Sequence, residues 1–459
     1  MSENRQPPAQ KTIGWSSELR EQLLTRIYEE AAELAELATT KTEKVGIDWD
    51  QRIDNVLTSR LWGLPIMILL LGAVFWLTIV GANIPSQFLA SALFAVEERL
   101  SFLFRNTHAP EWLHGFLILG VYRGLAWVIS VMLPPMAIFF PLFTLLEDIG
   151  YLPRVAFNLD RMFRCVGAHG KQALTMAMGF GCNAAGVISA RIIESPKERL
   201  IAILTNNFVP CNGRFPTLIA MASLLLAASR GSAQGTLLAA GAVVGMVLVG
   251  FVATLAVSWA LSRTLLRGVP SRFTLELPPY RKPQPGRVII RSLLDRTLAV
   301  LYRAVVVAAP AGGLTWMLAN IHIGDASILA HSAAALNGLG RALGMDGMIL
   351  VAFILGLPAN EIVMPIMLMG YLAEGALLEV SGLTALKAIL VDQHGWTWLT
   401  ALNVMLFSLL HYPCATTLLT IHKEAKSLRW TVLAALLPLA IAVAITFAIT
   451  FCVRRCGWV

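Results

Sequence analysis

Charge is scarce in this chain. Only 14% of its 459 residues are Asp, Glu, Lys or Arg, against roughly a quarter in soluble domains, which excludes an ordinary soluble fold. Six cysteines (Cys165, Cys182, Cys211, Cys414, Cys452 and Cys456) occur without any C-x-x-C spacing, which argues against a structural zinc site or a dithiol redox pair. No G-x-x-x-x-G-K-[ST] string is present, so no P-loop nucleotide site is expected. No motif announces a nucleophile either, and a transporter, not an enzyme, is the expectation. Met1 to Arg60 holds no apolar core ahead of a cleavage site; the first span is expected to act as its own insertion signal. The net charge of +8 would suit nucleic acid, but the bases are scattered between apolar stretches. Positive-inside topology explains them more simply, and no nucleic-acid partner is expected.

Apolar sequence fills the rest. With 56% hydrophobic residues and a mean hydropathy of +0.67, the composition is that of an all-α polytopic membrane protein. Stretches of about 20 apolar residues, enough to cross hydrocarbon as a helix, run over 61–81, 116–146, 201–228, 237–261, 298–319, 348–372, 398–419 and 430–453. A shorter, glycine-interrupted one covers 172–190. Ahead of them, Ser16 to Leu37 reads as an amphipathic helix, with Ser16 or Ser17 as cap, Glu21 in the first turn and an apolar stripe of Leu23, Leu24, Ile27, Tyr28, Ala31 and Leu34. That stripe needs a cover, either a partner or the cytoplasmic side of the same protein.

Lys and Arg set the orientation. Arg52 and Arg60, the group Arg154, Arg161, Arg164 and Lys171, and the linker from Arg263 to Arg303 are expected in the cytoplasm; the base-poor segments 82–115 and 320–347 are expected outside. Parity then makes a demand, because three apolar stretches lie between Lys171 and Arg263, where an even number of crossings is required. The 172–190 stretch, with Gly179, Gly181 and Asn183, is the expected re-entrant hairpin. The second half poses the same problem, and the stretch holding Pro358, Asn360 and Pro365 is its expected hairpin.

Each half therefore contains a broken hairpin followed by a Pro-Cys dipeptide, Pro210-Cys211 or Pro413-Cys414, within apolar sequence. Non-helical backbone at membrane depth persists only where it is buried in protein or lines a cavity, so paired breaks point to a transport site between inverted repeats. Cys182, Cys211 and Asn183 in the first half, and Asn360, Glu361 and Cys414 in the second, are the candidate metal ligands. Thiol, carboxylate and amide oxygen together suit a borderline divalent cation such as Fe(II), Mn(II) or Zn(II). Glu361 is an ionisable group inside a span and hence a functional candidate; a salt bridge or cap in the break is its structural alternative. His411, three residues before Cys414, would share a helical face with it and either ligate or bond a neighbouring helix. Glu147 and Asp148 could meet the ion at a cytoplasmic exit or simply end a solvated helix. Met364, Met367 and Met369 read as packing, and Asn183, Asn206, Asn207 and Asn212 either hold unwound backbone or act as ligands.

At these residues the chain resembles the membrane part of the FeoB ferrous iron transporter family. The likeness rests on DNVLTSRLWGLP (54–65), LLEDIGYLPRVAFNLDR (145–161), GAHGKQALTMAMGFGCN (167–183), 191–204, LELPPYR (275–281) and the two Gate-like repeats. It implies that Cys182 and Cys211 correspond to the thiols of the first Gate motif and Cys414 to that of the second. The expected division is a cytoplasmic N-terminal region (1–60), first transmembrane segments (61–146), first Gate repeat (147–262), basic linker (263–297), second Gate repeat (298–429) and a final helix and tail (430–459). Family members usually begin with a GTPase domain, and none is seen here; the second repeat reads ANEIVMP where a Lys usually precedes the Glu. The resemblance thus implies a multi-pass permease of the bacterial inner membrane, N-terminus in the cytoplasm, with no permanently bound cofactor, importing ferrous iron or a similar metal. Its expected partners are the lipid bilayer and a separately encoded GTPase or small cytoplasmic Feo-type proteins, with homo-oligomers left open. A nucleoside or other small organic permease is the alternative, since Gate repeats also resemble nucleoside-transporter-like domains.

Overall fold

The computed structural model describes residues 49–59, 61–107, 110–226, 232–266, 280, 284–377 and 383–457, together with scattered residues between 23 and 38. Two compact units result, residues 1–52 and 53–459. In the first, the described residues of the expected N-terminal helix are helical, and Leu23, Ile27, Leu34 and Leu37 are exposed. Ser16, Ser17, Glu21, Leu24 and Tyr28 lie outside the described residues.

The second unit is helical, apart from a two-stranded antiparallel pair, His322–Ile323 with Ala326–Ser327, the only sheet among the described residues. After α1 (Trp49–Leu57), the chain forms α2 (Gly63–Asn106), α3 (Glu111–Ile149) and α4 (Tyr151–Cys165). The sequence pattern ends the first span near Gly81, but α2, 44 residues long in all, continues to Asn106 with Pro85 inside it. The stretch after Gly81 is rich in Ala and Leu and contains Glu97 and Glu98, good helix formers that keep a helix going once it is started; scarcity of Lys and Arg carries no information about where it stops.

Next come α5 (Gln172–Gly181), α6 (Asn183–Ser189), α7 (Pro196–Thr205), α8 (Phe215–Leu226) and α9 (Ser232–Arg263). The second half contains α10 (Pro285–Asn320), α11 (Ile328–Ala342), α12 (Gly347–Leu355), α13 (Val363–Tyr371) and α14 (Leu383–Lys387). It closes with α15 (Trp398–Leu410), α16 (Ala415–Ala425) and α17 (Leu428–Arg455). Six helices among the described residues are long and apolar enough to cross a membrane, with α15 and α16 counted as one, and α11 and α12 form a further pair bent by 110°. By contrast α5, α6, α7, α8, α12 and α13 have 10, 7, 10, 12, 9 and 9 residues, each too short to span about 30 Å alone. The 201–228 stretch, expected to be a span, is thus two half-helices.

Burial separates periphery from centre. Only 20% of the most apolar part of α2 and 22% of those of α9 and α17 are buried, against 72% for Trp398–Ala425. The first three present Ile68, Leu69, Val244, Val252, Leu436 and Phe447 outwards, as helices facing lipid do. The Pro-Cys segment of the second half is therefore central, and it is surrounded by the half-helices.

Candidate functional site

The two halves break their backbone in the same way. Cys182, between α5 and α6, has φ −155° and ψ 126°, and Ala359, before the turn Asn360–Ile362, has φ −151° and ψ 122°. An asparagine follows each. At the Pro-Cys breaks, Cys211 (φ −81°, ψ 167°) and Cys414 (φ −60°, ψ 158°) are likewise extended. Proline supplies the local cause, since it removes a backbone donor and pushes the preceding residue, Val209 or Tyr412, out of the helical region.

These four breaks meet. A cavity of about 30 Å³, room for roughly one water or one ion, is lined by Cys182, Asn183, Cys211 and Gly213 from the first half and by Ala359, Asn360, Glu361, Cys414, Thr416 and Thr417 from the second. Six of the seven candidate ligands thus share one small space. Glu361 lies directly over Gly213: a Cβ there would stand 2.1 Å from Glu361 Oε1, so only glycine admits the carboxylate. Asn360 Oδ1 is buried without a partner, and an acceptor in that state is costly unless a cation or donor visits it. Cys414 Sγ stands 3.3 Å from Thr417 Oγ1. Among the described residues no three His, Cys, Asp or Glu side chains come close enough to hold one metal ion together. The cavity gathers candidate ligands without a three-residue metal cluster among the described residues.

The first-half asparagines stitch backbone. Asn206 Nδ2 donates to Asn183 O at 3.0 Å and Asn207 Nδ2 to His411 O at 2.6 Å. With its amide turned to donate, Asn183 reaches Gly179 O at 3.1 Å and Val209 O at 3.2 Å. Asn206 fits only because Gly179 and Gly186 lack side chains; a Cβ on either would lie 2.7 or 2.5 Å from its Oδ1.

Other sequence candidates fall elsewhere. His411 does not share a helical face with Cys414, because it ends α15 in extended conformation (φ −69°, ψ −179°) and Pro413 keeps the intervening segment unwound. Its ring packs among Phe353, Phe407 and Tyr412, with Nδ1 3.0 Å from Ser408 O, and it does not line the cavity. Glu147 and Asp148 end α3, where Glu147 is exposed and Asp148 accepts from Gln284 N at 3.4 Å. Twelve residues of helix, roughly 18 Å, separate Asp148 from Met136 on the cavity wall. Met367 and Met369 are core residues, and the thioethers that do line the cavity are Met132 and Met136 of α3.

Comparison with known proteins gives two family-model matches: "Nucleoside recognition" (Gate) over residues 129–225 and "Ferrous iron transport protein B C terminus" over 243–295. A curated Fe(2+) transporter FeoB from Synechocystis is 30% identical over 398 residues, covering 85% of this chain and 61% of that protein. The Staphylococcus aureus FeoB is 27% identical over 408 residues, covering 86% and 58%. The chain matches the membrane part of the FeoB family. It spans about three fifths of the length of these FeoB relatives. A Porphyromonas gingivalis relative, 24% identical over 437 residues and covered to 50%, is named as a fusion of Fe(2+) transport protein A with FeoB. No solved structure matches.

Three strings that carry the FeoB likeness converge away from the cavity. Arg154, almost fully buried, donates from Nε to Asp54 Oδ1 at 2.9 Å and from Nη2 to Oδ2 at 3.0 Å; Nη1 reaches Gly150 O at 2.7 Å. Tyr280 donates to Asp54 Oδ1 at 2.7 Å, and the guanidinium lies 4.2 Å above its ring. The hydrogen bond from Arg154 holds the Asp54 carboxyl below the usual carboxylate range despite desolvation. Burial, followed by the bond to Asp54, pushes the Tyr280 phenol up to about 12. This cluster joins α1 to α4 and fixes the start of the FeoB-like membrane unit. One residue with no warning in the sequence reading is Arg214, whose side chain is entirely buried beside the first Pro-Cys break.

Proposed function

We propose that the chain moves ferrous iron, or a chemically similar divalent cation, across a bacterial inner membrane through the junction of its two halves. The observation that carries this reading is the convergence of Cys182, Cys211, Cys414, Asn360 and Glu361, drawn from both halves, on one cavity. Thiol and carboxylate ligands select borderline metals over Mg(II). With no three acidic, thiol or imidazole groups in reach of one point among the described residues, an ion would complete its shell from Asn360 Oδ1 and from carbonyls released at the breaks. Such a loose shell suits cargo, which must leave as readily as it enters. The names of the FeoB relatives support the same cargo. A cavity of about 30 Å³ is an order of magnitude below the ~300 Å³ of the smallest ordinary organic-ligand pockets, which counts against a nucleoside in this arrangement.

The two halves act as inverted repeats in this proposal, with the N-terminus in the cytoplasm and a separate GTPase or small Feo-type protein as partner; the fused relative from Porphyromonas gingivalis supports the last point. Uptake of labelled Fe(II), Mn(II) and Zn(II) into proteoliposomes tests the function. Wild type is expected to take up Fe(II), and Cys182→Ser, Cys211→Ser, Cys414→Ser and Glu361→Gln to lose most of that flux. Undiminished flux in all four would sink the site, and nucleoside uptake without metal uptake would sink the cargo.

A further inference from the structure

Arg214 is completely buried, yet among the described residues no carboxylate pairs with it. Nε has no partner among them, and the Nη1 and Nη2 donors go instead to the ends of broken helices in both halves. Nη1 donates to Asn207 O at 2.7 Å and Leu409 O at 2.9 Å. Nη2 donates to Asn207 Oδ1 at 2.9 Å, Tyr412 O at 3.2 Å and His411 O at 3.3 Å. Asn207 closes the ring by donating to His411 O as well. The backbone N–H of Arg214 in turn bonds Cys211 O at 2.9 Å, so the same residue is tied to one Pro-Cys break and grips the other.

The acceptors explain why a cation is there. Asn207, Leu409, His411 and Tyr412 stand just at or past the C-terminal ends of α7 and α15, where unsatisfied carbonyls carry the negative end of the helix dipole. Carbonyls at unwound helix ends are oxygen sites that attract hard cations. A planar guanidinium can occupy several of them at once and cannot be deprotonated.

We propose that Arg214 is a built-in cation that occupies the carbonyl ends of both broken helices. It thereby locks the two Pro-Cys breaks together and withholds these four carbonyls from a transported ion, which is left the thiol, amide and carboxylate ligands of the cavity and the carbonyls of the Cys182 and Ala359 breaks. Arg214 is a positioning residue here, since it does not line the cavity itself. The inference rests on the cavity being the cargo site, and it adds a reason for that site to reject hard cations.

The test uses the full chain with Cys165, Cys452 and Cys456, all exposed, replaced by serine. Arg214→Gln and Arg214→Lys are compared with the parent for maleimide labelling of the remaining thiols in membranes, and for inhibition of Fe(II) uptake by Ca(II). Arg214→Gln is expected to label Cys211 and Cys414 at least about tenfold faster, as the open population rises, and to become Ca(II)-sensitive at concentrations that leave the parent unaffected. Lysine keeps the charge but has only three donors on a point charge; it should stay Ca(II)-insensitive and label a few-fold faster. A monodisperse Arg214→Gln protein that labels at the parental rate, or that remains insensitive to Ca(II), overturns the proposal. Should the Gln variant not accumulate, the Lys variant decides: parental labelling overturns the lock, and accelerated labelling supports it. Labelling requires no cargo, so a parent inert to Fe(II) with a fast-labelling variant would sink the cargo reading alone.

Discussion

The first-half and second-half breaks share their backbone but not their chemistry. Cys182 and Ala359 differ by 4° in both φ and ψ, and each is followed by an asparagine. In the first half Asn183, Asn206 and Asn207 are all committed to carbonyls, and Arg214 is spent on the junction. In the second half Asn360 Oδ1 has no partner and Glu361 has no salt bridge among the described residues. Asn206 Oδ1 is also unpartnered but does not line the cavity, so the first half supplies the frame and two thiols and the second the uncommitted oxygens of the cavity. The two halves thus share a break geometry while their polar groups divide between holding backbone and lining the cavity.

Exchanging the two classes of asparagine is the strongest way to break this contrast. Asn360→Ala or Glu361→Gln is expected to lower Fe(II) flux by roughly 10–100-fold, the scale seen when residues supporting a metal site are removed, while the unfolding temperature in detergent stays near that of wild type. Asn207→Ala should do the reverse. It removes the bonds from Asn207 Nδ2 to His411 O and from Arg214 Nη2 to Asn207 Oδ1, each worth about 0.5–3 kcal/mol, and the unfolding temperature should fall while the metal preference of the surviving protein stays unchanged. Equal thermal losses in Asn360→Ala and Asn207→Ala would erase the distinction.

A smaller effect sharpens the frame outside the cavity. Burial holds the His169 imidazole below its ordinary 6.5, and its Nδ1 accepts the Lys171 N–H at 3.0 Å, which only the neutral ring can do. Since the unfolded chain takes up a proton first, the stability this histidine contributes is complete above about pH 6.5 and is lost as pH falls through the window below it. Thermal unfolding should therefore soften as pH falls below about 6.5, and His169→Asn should flatten that profile. The smallest effect belongs to Arg191, which pairs with Glu424 at 2.8 and 2.5 Å and so ties the end of α6 to the end of α16. Arg191 is mostly exposed, and solvent screening leaves such a pair about 0–1 kcal/mol. Arg191→Gln should barely move the unfolding temperature.

Much of the cavity was legible from sequence because proline, glycine and thiol are anomalous in apolar segments. Pro210-Cys211, Pro413-Cys414, the GFGCN string and ANE each mark a real break. What periodicity and parity do not reveal is which anomalies turn inward. His411 looked like a helical neighbour of Cys414, but Pro413 unwinds the turn between them and the ring joins an aromatic cluster. The end of α2 was hidden because helix formers continue well past the apolar stretch. Met132 and Met136 escaped notice since a methionine in a span looks like filler, and here the neighbouring helices place both on the cavity wall. Arg214 was masked by its setting in a basic chain, where one more arginine after a break reads as topology; its role rests on acceptors about 200 residues away in sequence.

The central claim is that thiols from both halves reach one ion. Co(II) binding to the full chain in detergent tests it, because a thiolate bound to Co(II) produces a near-ultraviolet charge-transfer band. The account predicts a band that weakens in Cys211→Ser and in Cys414→Ser separately and disappears when Cys182 is replaced as well, so that no thiol of the cavity remains. A band untouched by either substitution, or Co(II) binding with no thiolate band at all, would contradict it.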